Sequence, residues 1–179
     1  MIFKRLFGSR EWEAPARSLY ESAVAQARRP DFYRDLGVPD TVDGRFELVA
    51  LHGYLLLRRL RAMPDGAGLA QALFDVIFAD MDASLREMGA GDLGVGKRVK
   101  VMAKGFYGRM AAYDAGLAGE APLAEALRRN LYGTVEPAAA ALVAMVKYLQ
   151  DATQVLEKQA ESTLLAGQAI FPDPPALAR

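Results

Sequence analysis

The sequence predicts an all-α, single-domain bundle of about six helices. Apolar residues recur at helical spacing along most of the chain, no segment shows the period-two alternation and Val/Ile/Thr enrichment of strands, and glycine or proline punctuates the apolar stripes. The 179 residues suit one domain, since domains usually hold roughly 100–200 residues and bury about 70% of the unfolded surface at this size. A content of 52% apolar and 25% charged residues excludes wholesale disorder. Three segments are expected: a short basic and apolar stretch over 1–10, the helical domain over 11–166, and a flexible tail over 167–179.

The first helix is expected over 11–29, interrupted near its start by Pro15 and closed by Pro30. Phe32, Tyr33 and Leu36 then form a short apolar turn before Gly37-Val38-Pro39. Asp40, Thr41 or Asp43 can cap a second helix that reaches about Met63, with Leu48, Leu51, Leu55 and Leu56 as its core face. Pro64-Asp65-Gly66 ends it by turn chemistry. A third helix, 68–88, carries Leu69, Leu73, Val76, Ile77 and Met81 on one stripe. A fourth, 94–115, repeats the pattern with Val99, Met102, Phe106, Met110 and Tyr113. A shorter helix over 122–132 carries Leu123, Leu127 and Leu131. The last helix starts near Thr134 and Pro137 and is expected to reach Leu165. The proline-rich FPDPPALAR ending is expected to fray.

Between the third and fourth helices, GAGDLGVGKRVK satisfies two nucleotide-binding patterns, G-x-G-x-x-G and G-x-x-x-x-G-K. Both need a preceding strand, and the second needs a Ser or Thr for magnesium where Arg98 stands. The segment before it has helical periodicity, so 89–96 reads as a glycine-rich interhelical turn. Its flanks differ in charge: Asp75, Asp80, Asp82 and Glu87 precede, Asp92 lies within, and Lys97, Arg98, Lys100, Lys104 and Arg109 follow. An acidic helix beside a basic one is either a pair of solvated faces or a charged recognition surface.

Several chemistries are excluded. Without cysteine there is no disulfide, thiolate metal site or cysteine nucleophile. The single histidine, His52, sits among leucines with no G-x-S-x-G elbow elsewhere, and reads as structural. No metal and no cofactor is expected. Twenty-two basic and 22 acidic residues cancel, so no nucleic-acid partner is expected. The N-terminus MIFKRLFGSR places Phe3 and Phe7 beside Lys4 and Arg5, which suits contact with an anionic membrane surface or a plain helix lead-in. No apolar run approaches the roughly 20 residues that span a bilayer.

At DGRFELVALHGYLLLRRL (43–60) and LFDVIFADMDASLREMGAGDLGVGKRVKVMAKGFYGRMAAYD (73–114), the sequence resembles the ubiquinol-cytochrome c chaperone family, with likeness over about 32–156. The resemblance implies an all-helical, non-enzymatic assembly chaperone. Mitochondrial members bind newly made cytochrome b, support its maturation into ubiquinol-cytochrome c reductase (respiratory complex III), and act with a small partner subunit and at the ribosome exit. The short N-terminus resembles the alphaproteobacterial type, which implies a cytoplasmic protein peripheral at the inner membrane, with the ribosome or membrane surface as further partners.

Carried onto the matching blocks, the implied client-binding residues are Asp43, Arg45, Glu47, Asp75, Asp80, Asp82, Asp92, Lys97, Arg98, Lys100, Lys104 and Tyr107. Client recognition and hairpin architecture both remain open for them. Met63, Met81, Met88, Met102 and Met110 are candidates for adaptable client-facing surface. The competing class is a helical binder of haem, quinone or lipid, for which His52 is the one imidazole.

Overall fold

The computed structural model describes residues 10–87, 92–133 and 135–177, with the side chains of 84–87, 92–100 and 102 left aside. Among the described residues there are eight helices and no strands: α1 (Arg10–Ala27), α2 (Pro30–Arg34), α3 (Val42–Arg61), α4 (Ala67–Glu87), α5 (Asp92–Leu117), α6 (Leu123–Leu127), α7 (Ala139–Lys158) and α8 (Glu161–Leu165). A π-helical turn, Arg128–Tyr132, continues α6. The six expected helices correspond to α1, α3, α4, α5, α6 with its π-turn, and α7.

Helix α3 is the centre of the bundle. Thr41 caps it, its Oγ1 accepting from the Gly44 N–H at 3.1 Å. Every residue from Ala50 to Leu57 is buried, and the helix packs on α1, α4, α7 and the π-turn. Gly53 allows the α4 contact, because a Cβ there would meet Ile77 Cδ1 at 2.9 Å. Polar groups tie the last turns of α3 to its neighbours. The Tyr54 hydroxyl donates to Asp114 Oδ1 at 2.7 Å, and Arg58 pairs with Asp114 and Glu157. Arg59 donates to the Leu156 carbonyl at 3.1 Å.

Four expectations change. Pro30 does not merely close α1; it opens α2, at whose first position its missing N–H and fixed φ are tolerated. Helix α7 stops at Lys158, because Gln159 turns extended with φ −71° and ψ 140°, and α8 is a separate turn. Helix α5 already begins at Asp92, so Gly94 and Gly96 are helical, while 88–91 and Thr134 lie outside the described residues. Met63 and Met110 belong to the core, and Met81, also buried, lines a cleft.

The ending lies against the body. Gly167 turns the chain at φ +83°, a left-handed conformation that glycine adopts without strain. Beyond it, the Gln159 side chain binds both main-chain groups of Ile170, at 2.8 and 2.9 Å. Gln26 Nε2 donates to the Pro172 carbonyl at 2.8 Å, Arg29 pairs with Asp173, and the Phe171 ring meets His52 edge-on at 5.2 Å.

Candidate functional site: a charged cleft with an apolar floor

A cleft of about 1400 Å³ opens between the end of α1, α2, the start of α3, the middle of α4, Arg109 of α5 and the π-turn. Its floor is apolar: Met81, Leu131 and Tyr132 are buried there, with Phe46 and Val49 half-buried. Val42 and Val135, 66% and 46% exposed, are among its lining residues. Solvent-facing valines beside an apolar trough suit an apolar partner better than they suit water.

The cleft brings together four of the residues singled out in the sequence: Asp43, Arg45, Glu47 and Asp80. Glu47 and Arg109, from α3 and α5, form a two-pronged ion pair in which Arg109 Nε donates to Glu47 Oε2 at 2.7 Å and a second nitrogen donates to Oε1. Burial pushes the Glu47 carboxyl above its usual range, with Arg109 opposing. For Arg109, burial is the largest single influence and works against the charge, but the hydrogen bond and the charge of Glu47, with Tyr113, together outweigh it and the guanidinium is held more firmly protonated. Arg45 donates to Asp40 at 2.6 Å at the exposed rim, and that bond holds the Asp40 carboxyl below its usual range. Asp80 accepts from the Tyr20 hydroxyl at 2.6 Å, which joins α4 to α1. Burial and this bond together raise the Tyr20 pKa.

Other expected residues lie elsewhere. Asp75 accepts from Gln71 at 2.9 Å, and burial raises its pKa; its Oδ2 is buried without a hydrogen bond. Asp82 is half-buried. Lys104 and Tyr107 are exposed on α5, and the Tyr107 ring stacks on Phe74 at 5.6 Å. Asp92, Lys97, Arg98 and Lys100 fall in α5, with side chains outside the described residues, as are Phe3, Lys4, Arg5 and Phe7.

Sequence reasoning missed the remaining cleft wall. Arg28, Tyr33, Arg129, Asn130 and Tyr132 line it although α2 and the π-turn lie far apart in sequence. The Tyr132 hydroxyl joins them by donating to the Leu36 carbonyl at 2.9 Å. The Asn130 Nδ2 is buried without a hydrogen bond, and π-turns often occur at functional positions.

His52 is fully buried, and both ring nitrogens are engaged. A carbonyl can only accept, so Nδ1–H donates to Leu48 O at 2.7 Å, and Nε2 accepts from the Tyr148 hydroxyl at 2.8 Å. Gln26 donates to that same hydroxyl at 2.9 Å. Axial ligation of haem by His52 would break this chain. Among the described residues, no three His, Cys, Asp or Glu side chains are grouped to hold a metal, and no helix is long and apolar enough to cross a membrane.

The model of the family described as ubiquinol-cytochrome C chaperone matches residues 34–171. Protein CBP3, mitochondrial, of Saccharomyces cerevisiae is 30% identical over 162 residues, which is 87% of this chain and 48% of the relative. Ubiquinol-cytochrome c reductase complex assembly factor 1 of Drosophila melanogaster is 26% identical over 146 residues, 78% of this chain and 56% of the relative. The chain thus spans about half the length of these curated relatives. The crystal structure of the Cbp3 homolog from Brucella abortus superposes with a TM-score of 0.82 and 39% identity, covering 91% of each chain.

Proposed function

The chain belongs to the ubiquinol-cytochrome C chaperone family, and from that premise we propose that it is a chaperone that binds newly made cytochrome b and promotes assembly of ubiquinol-cytochrome c reductase. The observation that carries the reading is the cleft: an apolar floor, two solvent-facing valines and a ring of charges from four helices and the π-turn. A membrane-protein precursor presents apolar helices and charged loops, so its soluble binder needs an apolar trough with a polar rim. Asp43 and Arg45 supply rim contacts, while the Tyr20–Asp80 bond and the Glu47–Arg109 pair hold the surrounding helices at the spacing the trough requires. Lys104 and Tyr107, with Asp75 and Asp82 on the neighbouring helix, extend the client surface over the α4–α5 hairpin. The N-terminal segment, through Phe3, Lys4, Arg5 and Phe7, holds the helical domain near the inner membrane.

Affinity capture of the full chain from native membranes is expected to enrich cytochrome b. Val42→Asp places a charge at an exposed position of the cleft and is expected to lower that enrichment about tenfold, with folding unchanged. Loss of the protein is expected to deplete assembled complex III while other respiratory complexes persist. Normal complex III without it would refute the proposal.

A further inference from the structure

We propose that the C-terminal strap, residues 168–177, is a latch that sets the position of α2, one wall of the cleft. The regulated site is the cleft read above as the client site, so this inference rests on that reading for its consequence but not for its mechanics.

The strap is held the way a bound peptide is held. Gln159 pairs with both main-chain groups of Ile170, Gln26 reads the Pro172 carbonyl, and Arg29 pairs with the Asp173 carboxylate. Phe171 and Leu177 pack against the core and Pro174 is buried, while Ile170 stays 67% exposed. The apolar side chains that fasten the strap are few and mostly half-buried, so its release exposes far less core than the loss of a helix, and Gly167 supplies the turn at which it swings.

Two links run from the strap to α2. The first is aromatic: Phe171 meets His52 at 5.2 Å, and Phe32 of α2 meets His52 at 5.4 Å and Tyr148 at 5.0 Å, all edge-on. The second is ionic: Arg29 faces Asp173 of the strap and Asp31 of α2. Helix α2 has five residues, too few to persist without tertiary support. Its opposite side carries Tyr33 and Arg34, which line the cleft, and its end supplies the Leu36 carbonyl held by Tyr132. Fastening Phe171 and Asp173 therefore positions Phe32 and Asp31, and through them the wall that the client meets. Release lets that wall move, so strap and client are thermodynamically coupled.

Hydrogen exchange on the full chain tests this. The reporters are the amides of Asp35, Leu36 and Val38, bonded to the Asp31 and Phe32 carbonyls. In Phe171→Ala they are expected to exchange roughly tenfold faster, the equivalent of one aromatic contact, and in Asp173→Asn, which weakens an exposed pair, about threefold faster. Amides in α4 and α7 should keep wild-type rates, as should every amide in Ile170→Ala. Faster exchange confined to 168–177, or a uniform rise across all helices, overturns the latch. Capture of cytochrome b is scored separately on the same variants. Absent capture by every variant and by wild type, with the exchange shift present, removes the client reading and leaves the latch standing.

Discussion

Replacing Glu47 by Ala removes one partner of the pair that fastens α3 to α5 and leaves Arg109 facing the cleft floor with no counter-charge. The Glu47 and Arg109 side chains are 12% and 28% exposed, which lies between two regimes. Breaking a buried pair by deleting one member costs about 3–5 kcal/mol, and an exposed pair contributes about 0–1 kcal/mol. The expected cost is about 2–3 kcal/mol, read by urea unfolding as a midpoint lowered by about 1 M or more for an m-value near 2 kcal/mol/M. Arg109→Leu is expected to cost a similar amount at neutral pH, but its cost depends on pH. Without the guanidinium, burial raises the Glu47 carboxyl further above its unfolded value, so the folded state binds the proton more tightly than the unfolded state. That variant gains stability relative to wild type as pH falls through the raised pKa, and loses it as pH rises. Glu47→Ala behaves in the opposite way: the wild-type carboxyl, its own pKa already raised by burial, adds stability as pH falls, so the deficit of the variant that lacks it widens at low pH. The double variant, carrying Glu47→Ala and Arg109→Leu together, is expected to recover most of the loss, with a coupling energy of about 1–3 kcal/mol. A double variant that loses the sum of the two single costs would refute the pair as the fastening unit.

Two further perturbations follow from the core. Burial lowers the His52 pKa from 6.5 to about 4; the unfolded state therefore binds the extra proton between those values, and stability is lost as pH falls through that window. The loss reaches about 3 kcal/mol at one pKa unit per 1.36 kcal/mol, and a pH series of urea midpoints should show that His52→Gln flattens it. Tyr132→Phe removes the hydroxyl that holds the Leu36 carbonyl at 2.9 Å, and unfolding should register a cost of about 1 kcal/mol.

The long helices were legible in the sequence because each buries one stripe at helical spacing. Leu48, Leu51, Leu55 and Leu56 mark the face of α3, and Leu69, Leu73, Ile77 and Met81 that of α4; all eight are buried. Short elements were harder to read, because their cause lies outside them. Arg29-Pro30-Asp31 can stop one helix or start another, and packing of Phe32 on His52 and Tyr148 decides for the start. No glycine or proline marks the end of α7; the chain leaves the helix at Gln159, whose side chain binds the main chain of Ile170. The same long-range contact fastens an ending whose prolines point to fraying. In the cleft, Asp43, Arg45 and Glu47 were locatable as a charged start to an apolar helix, but the Glu47–Arg109 pairing spans 62 residues, and nothing local announces it.

The charges of the α4–α5 hairpin posed a choice between recognition and architecture, and the geometry divides them. Asp80 and Arg109 do not simply face solvent as members of an acidic and a basic helix. Asp80 takes the Tyr20 hydroxyl of α1, and Arg109 takes the Glu47 carboxylate of α3. Both bonds cross into the helices that frame the cleft, so these residues shape the trough before any client arrives. A partner that competed for them would have to break the walls it binds to, so under the proposed function its charged contacts are assigned to groups that can be engaged without dismantling the bundle. Arg45 meets that condition, since it and Asp40 pair at the rim with side chains 64% and 58% exposed, and a pair in water contributes about 0–1 kcal/mol. On the proposed chaperone reading, the specificity of the cleft resides in its rim and the solvent-facing Val42 and Val135, while its shape resides in the charges beneath.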